Sequence, residues 1–140
     1  MQSNSSQQTK QIAADFAKTL KGGEGIALFG ELGAGKTTFV QGLSSALGVT
    51  DPVRSPTFVL AHIYPTTHET IKHLVHVDFY RIQHAADFSD LGLDEYINKE
   101  DTVIVAEWPT EEFLTKLKKP VRVSFSIGKG DERGIDISRG

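Results

Sequence analysis

The stretch GELGAGKTTF, Gly30 to Phe39, places three glycines, one lysine and two threonines within ten residues. Gly30-Glu31-Leu32-Gly33-Ala34-Gly35-Lys36-Thr37 fits the pattern G-x-x-x-x-G-K-S/T without departure. Nothing else in the chain restricts the fold as tightly. Glycines let the backbone wrap closely and point successive N–H groups inward, which makes a nest for anionic oxygens. A helix starting near Lys36 adds the partial positive charge of its amino end. Such a nest suits a polyphosphate. Gly30, Leu32, Gly33, Ala34, Gly35, Lys36, Thr37 and Thr38 are the candidate binding residues. Lys36 reaches the β- and γ-phosphates, the Thr37 hydroxyl completes the shell of a bridging Mg²⁺, and Thr38 is positioned toward the α-phosphate. The bland alternative is a chance glycine-rich turn. Average composition produces this octet in under about one chain in a hundred of this length, and here it falls where a strand should feed a helix.

The rest of the chain supplies that strand and helix. Ile12, Phe16 and Leu20 recur every four residues beside Ala13 and Ala17, one apolar helix face ended by Gly22 and Gly23. IALF, Ile26 to Phe29, has a glycine on each side and reads as a buried strand. Phe39, Leu43 and Leu47 then repeat at helical spacing up to Gly48. Val49 to Pro56 is loop. FVLAHIY (Phe58 to Tyr64) and HLVHVDFY (His73 to Tyr80) are strand-like, joined as a hairpin through the polar PTTHET. Asp87 to Asn98 is expected to be a short helix broken at Gly92. VIVA, Val103 to Ala106, is a second buried strand, and Glu111 to Lys118 a helix stopped by Pro120. VRVSFSI alternates, with Val121, Val123, Phe125 and Ile127 on one face, and GKGDERG followed by GIDI completes a hairpin. The first eight residues are polar and expected to be disordered. The fold class is therefore α/β: a single domain over residues 1–140, with a mixed parallel and antiparallel sheet flanked by helices.

Composition narrows the function. Hydrophobic residues make up 39% and charged residues 24%, an ordinary soluble balance. The absence of cysteine removes disulfides and thiolate metal sites. A net charge of −3 argues against a wide nucleic-acid surface. No run approaches the roughly 20 apolar residues of a membrane span, and the polar start lacks a secretory core segment. A soluble, cytoplasmic protein with no membrane partner is expected.

A nucleotide site of this kind needs a carboxylate for Mg²⁺ and a group to orient water. Ligands in open α/β sheets sit beyond the carboxyl ends of the strands. Two acids qualify: Glu107, which ends VIVA, and Asp78, late in HLVHVDFY. On a strand His76, Asp78 and Tyr80 share one face, and Val75, Val77 and Phe79 the other. The bland readings are a solvated Asp78 or a pairing with Arg81, and a surface or helix-capping Glu107. Spacing alone does not divide the two acids between metal and water. Thr57, in Ser55-Pro56-Thr57 after the phosphate-binding helix, is either a γ-phosphate sensor in a switch loop or part of a Ser-Pro turn.

Other signals carry less. Asn98-Lys99-Glu100-Asp101 spells the guanine-reading N-K-x-D of GTPases, but it precedes VIVA and so falls at the wrong end of the sheet. His73 and His76 are three apart on a strand and face opposite ways, which disfavours a shared metal. Trp108 reads as a packing anchor or a partner contact, with core packing the default, and Lys116, Lys118 and Lys119 as a solvated helix end.

GELGAGKTTF, SPTF (Ser55 to Phe58), HVDFYR (His76 to Arg81), LGLDEY (Leu91 to Tyr96) and AEW (Ala106 to Trp108), in this order in so short a chain, resemble the TsaE family, formerly YjeE, the bacterial ATPases of tRNA threonylcarbamoyladenosine formation. The resemblance spans roughly Ile26 to Trp108. It implies a single phosphate-loop (P-loop) NTPase domain around a mixed sheet, ATP bound at Gly30 to Thr38, Mg²⁺ held by Thr37 and Glu107, Asp78 as the second acid, and Thr57 in a switch-like loop, with Lys36, Thr57, Asp78 and Glu107 serving hydrolysis. It also implies partners, TsaD and TsaB, which transfer the threonylcarbamoyl group to tRNA, so that tRNA is met indirectly through the complex. Hydrolysis would be feeble alone and would reset that complex between rounds. The alternative is a small-molecule kinase using the same loop. It is opposed by the small number of arginines (Arg54, Arg81, Arg122, Arg133 and Arg139) and by the lack of a segment long enough for a lid.

Overall fold

The computed structural model describes residues 1–31, 33–50, 61–79 and 94–139. In chain order these form β1 (Gln2–Ser3), α1 (Ser6–Ala17), β2 (Gly25–Phe29), α2 (Lys36–Ala46), β3 (Ala61–Pro65), β4 (His73–Asp78), a 3₁₀ turn (Asp94–Tyr96), β5 (Thr102–Glu107), α3 (Glu111–Thr115), β6 (Pro120–Ile127) and β7 (Arg133–Arg139). The strands make one sheet in the order β1-β7-β6-β2-β5-β4-β3. The four central strands β6, β2, β5 and β4 are parallel, and β1, β7 and β3 are antiparallel to their neighbours. The expected α/β class and mixed sheet are what the chain adopts.

Continuous apolar runs in β2 and β5 follow from burial on both faces. Ile26 and Leu28 of β2, Val103 and Val105 of β5 and Leu74 of β4 face α1 and α2, in one core with Phe16, Phe39, Leu43, Val123 and Phe125. Ala27, Val75, Val77, Ile104 and Ala106 face the other way and pack with Phe113 and Leu114 of α3. Each of these two cores depends on the two-residue period of the strands.

Four expectations are revised. Residues 1–8 are ordered: β1 pairs with β7, and α1 already begins at Ser6 with Ser5 as its cap, the hydroxyl accepting from the Gln8 amide. The Met1 ammonium donates to the Ile135 carbonyl at 2.8 Å, and the Ile135 amide donates back to Met1 at 2.8 Å. Ser3 Oγ lies 2.7 Å from Thr9 Oγ1, and both residues are buried. A polar segment is ordered here because a sheet edge offers it backbone partners. Leu20 is buried but lies beyond the α1 cap, Lys18. The last helix is shorter than Glu111 to Lys118, ending at Thr115, and Pro120 opens β6. Ile127 continues the inward alternation of β6 but is 48% exposed at the hairpin end of the strand, paired with Arg133. The broken helix expected over Asp87 to Asn98 lies mostly outside the described residues, and Asp94–Tyr96 form the 3₁₀ turn.

The close approach of α1 to α2 depends on Gly42. A Cβ there would stand 2.6 Å from the Lys10 carbonyl oxygen and 2.7 Å from the Lys10 Cα, both backbone atoms. Alanine in a helix interior gains about 1 kcal/mol over glycine. Overpacking costs about 1–3 kcal/mol, and backbone cannot rotate out of the way. Gly42→Ala should therefore lower Tm by several degrees in a thermal melt, against the helix-propensity trend.

Candidate functional site

The parallel strands β2, β5 and β4 finish at the same end of the sheet, and the candidate residues gather there. β2 ends at Phe29. Gly30, Gly33 and Gly35 then all take positive φ (155°, 83° and 103°) before α2 begins at Lys36. Two physical reasons require glycine. At Gly33 and Gly35 a Cβ would meet nothing within 4 Å among the described residues, so the left-handed backbone makes the demand. At Gly30 a Cβ would come within 2.8 Å of Phe125 Cβ, so β6 packing makes it. Ala34 is fully buried beneath the loop, and its amide donates to the Glu31 carbonyl at 3.0 Å. The Ser5 and Thr110 side chains cap α1 and α3, whereas α2 starts at a glycine with no side-chain cap. Its first amides are thus left to a ligand or water.

Lys36 is 9% exposed and is folded back on its own loop. Its ammonium donates to the Gly30 carbonyl and lies 5.0 Å from the centre of the Trp108 ring. Trp108 is not the core anchor expected. It is 40% exposed, has a φ of 52°, and stands edge-on to Phe29 at 5.9 Å. Its amide donates to the Leu28 carbonyl at 3.0 Å, which carries the β5 ladder one residue past the strand. A left-handed backbone at a bulky residue costs about 1–3 kcal/mol. Here it turns the indole toward Lys36.

Glu107 and Asp78 close β5 and β4 and stand opposite each other in register; Glu107 is also paired with Leu28. Register partners share a face, so both carboxylates lie on the side of the sheet that carries α2. Glu107 is 7% exposed and meets His76, which is fully buried, through Nε2 and Oε2 at 2.8 Å. The fold thus brings Gly30, Gly33, Ala34, Gly35, Lys36, Thr37, Thr38, Asp78 and Glu107 to one end of the sheet. Leu32 and Thr57 lie outside the described residues. Among the described residues no cluster of three His, Asp or Glu side chains is set to hold a metal alone. His73 and His76 do not share a site. The Asn98 side chain joins loops, donating to Lys116 O at 2.7 Å and accepting from the Lys118 amide at 2.9 Å, at the amino end of β5 as its position implied.

Three contacts were not foreseen: Trp108 on Lys36, His76 on Glu107, and Arg133 Nε donating to the Gly33 carbonyl at 3.3 Å. Only His76 left a trace in the sequence, as a histidine at an inward-facing strand position on the face of Asp78.

The family model for threonylcarbamoyl adenosine biosynthesis protein TsaE matches residues 3–135. The chain belongs to the TsaE family. Similar proteins carry the name tRNA threonylcarbamoyladenosine biosynthesis protein TsaE. The one from Streptomyces coelicolor is 41% identical over 122 residues, covering 85% of this chain and 80% of its own. The one from Bacillus subtilis is 41% identical over 134 residues, covering 94% and 80%. A crystal structure of Bacillus subtilis YdiB superposes with a TM-score of 0.75 at 30% identity, over 99% of this chain and 83% of that one. No helix of the described residues is long and apolar enough to cross a membrane.

In this TsaE-family chain Trp108 is the single tryptophan. A polyphosphate that draws Lys36 off the indole removes a cation–π contact of about 0.5–2 kcal/mol. Titrating pyrophosphate or ATP should therefore change Trp108 fluorescence, and Lys36→Ala should abolish the change.

Proposed function

We propose that this chain binds ATP and Mg²⁺ at Gly30 to Thr38 and hydrolyses the nucleotide weakly by itself. That hydrolysis resets the TsaD–TsaB complex between rounds of tRNA threonylcarbamoyladenosine formation in the cytoplasm. The observation that carries this reading is a convergence. An uncapped helix start, a left-handed glycine loop, Lys36 and the Glu107–Asp78 pair all lie at one end of the sheet. Membership of the TsaE family supports the pathway, as do the names of the relatives.

The residues fit a small hard cation. Thr37 in the first turn of α2 and Glu107 at the end of β5 are oxygen donors. Mg²⁺ commonly takes one or two protein oxygens and completes its shell with phosphates and water. When bound, it supplies charge neutralisation across the β- and γ-phosphates. The chain's own groups do the rest. The α2 amides and loop N–H groups cradle the phosphate oxygens. Lys36 exchanges the Gly30 carbonyl for a phosphate, and Thr38 stands toward the α-phosphate. Asp78, beside Glu107, accepts a hydrogen bond from the attacking water and orients it. Thr57, which follows α2 in the sequence, reads the γ-phosphate. Positioning and electrostatics of this kind supply most of the catalysis in phosphoryl transfer. With a net charge of −3 the chain meets tRNA through its partners, not by gripping it.

Glu107→Ala should lower Mg²⁺-dependent phosphate release by about 10²-fold or more, a typical loss when a charge-stabilising group is removed, while calorimetry without metal shows ATP still bound. Lys36→Ala should weaken ATP binding itself. Equal rates in wild type and Glu107→Ala would remove Glu107 from the reaction. Purified TsaD–TsaB should stimulate phosphate release by the wild-type chain; intact ATP binding with no stimulation would count against the resetting role.

A further inference from the structure

We infer that His76 is a positioning residue for Glu107: it donates from Nε2 to one carboxylate oxygen and leaves the other for the cation. This rests on the reading of Glu107 as a cation ligand.

Packing does not account for the residue. His76 is fully buried; on its face Leu74 and Val105 are fully buried and apolar, while Asp78 and His62, its register partner on β3, are the polar neighbours. A leucine or phenylalanine at this inward position would fill space without burying ring nitrogens. Burying a polar atom without a partner is costly, and His76 Nδ1 is buried with no hydrogen bond among the described residues. Among the described residues the compensation is one polar contact, Nε2 to Glu107 Oε2 at 2.8 Å.

That geometry selects a tautomer. An ionised carboxylate only accepts. With the proton on Nδ1, a buried N–H would lack an acceptor and the Nε2 lone pair would face carboxylate lone pairs. With the proton on Nε2, the contact is a hydrogen bond and the orphan is a bare lone pair, the more tolerable of the two. The ring is held by β4 and the carboxylate by β5, parallel strands in fixed register. A glutamate has three side-chain torsions to freeze when it binds a cation. A donor fixed on the neighbouring strand freezes part of that motion beforehand, and it engages one oxygen only. Groups that hydrogen-bond a metal ligand in this way typically account for 10–100-fold in metal affinity or activity.

The test has two parts. In the resting wild-type protein, ¹⁵N NMR of the histidine side chains should show His76 carrying a proton on Nε2; a bare Nε2 overturns the inference. Separately, Mn²⁺ binding to protein loaded with a non-hydrolysable ATP analogue is followed by electron paramagnetic resonance. His76→Phe keeps the ring shape and loses the donor. It should weaken Mn²⁺ about tenfold or more and leave nucleotide affinity in EDTA unchanged, with a thermal melt reporting that the variant is folded. His76→Gln keeps an N–H at Nε2 reach and should recover most of the loss. Unchanged Mn²⁺ affinity in the phenylalanine variant, or a glutamine variant equally weak, overturns the positioning role. A wild-type protein that takes up no nucleotide ends the functional proposal instead, and the tautomer still decides whether His76 is set to hold Glu107.

Discussion

The strand that governs this molecule is β2, hydrogen-bonded along both edges to parallel neighbours, β6 on one side and β5 on the other. A parallel ladder brings carboxyl ends together. The loop leaving β2, the acid ending β5 and the acid ending β4 therefore cannot be far apart. The same pairing forces apolar side chains to both faces, which is why Ile26 and Leu28 meet α1 and α2 while Ala27 meets α3's core. Site and core are two outcomes of one alignment. Ligand sites in open α/β sheets commonly arise at this end of the strands.

The loop that leaves β2 holds a conformation that ordinary side chains resist, and its surroundings allow it. Phe125 closes in from β6 at Gly30, while at Gly33 and Gly35 a Cβ would meet nothing within 4 Å among the described residues. The helix that follows begins without a side-chain acceptor, unlike α1 and α3. Amide hydrogens, a helix terminus and an ammonium are thus concentrated in a few residues, with two carboxylates on the same side of the sheet. A pattern of fixed positive groups set against acids suits a polyanion carrying its own cation.

Much of this could be read from residues alone. The glycines and Lys36 announce the loop because their spacing is local. Glu107 and Asp78 could be placed because a strand's end is visible as the end of an apolar run. What stayed hidden depends on residues far apart in sequence. His76 and Glu107 are 31 positions apart, and only the register of β4 on β5 joins them. Gln2 and Ser3 look like a free tail until β7 is beside them. The neighbouring of β6 with β2 cannot be seen in a pattern that announces only its hairpin with β7. Trp108 misled because an aromatic after a buried strand packs inward by default, and nothing local reveals the left-handed turn at that residue.

The resting place of Lys36 has a further consequence. Its charge is already lodged between the Gly30 carbonyl and the Trp108 face. An entering anion therefore competes for a cation that is not idle, and affinity becomes the difference between two lodgings of one ammonium. Under the proposed ATP-binding reading, selection could adjust the grip by improving or spoiling the resting lodging, leaving every contact with the ligand as it was.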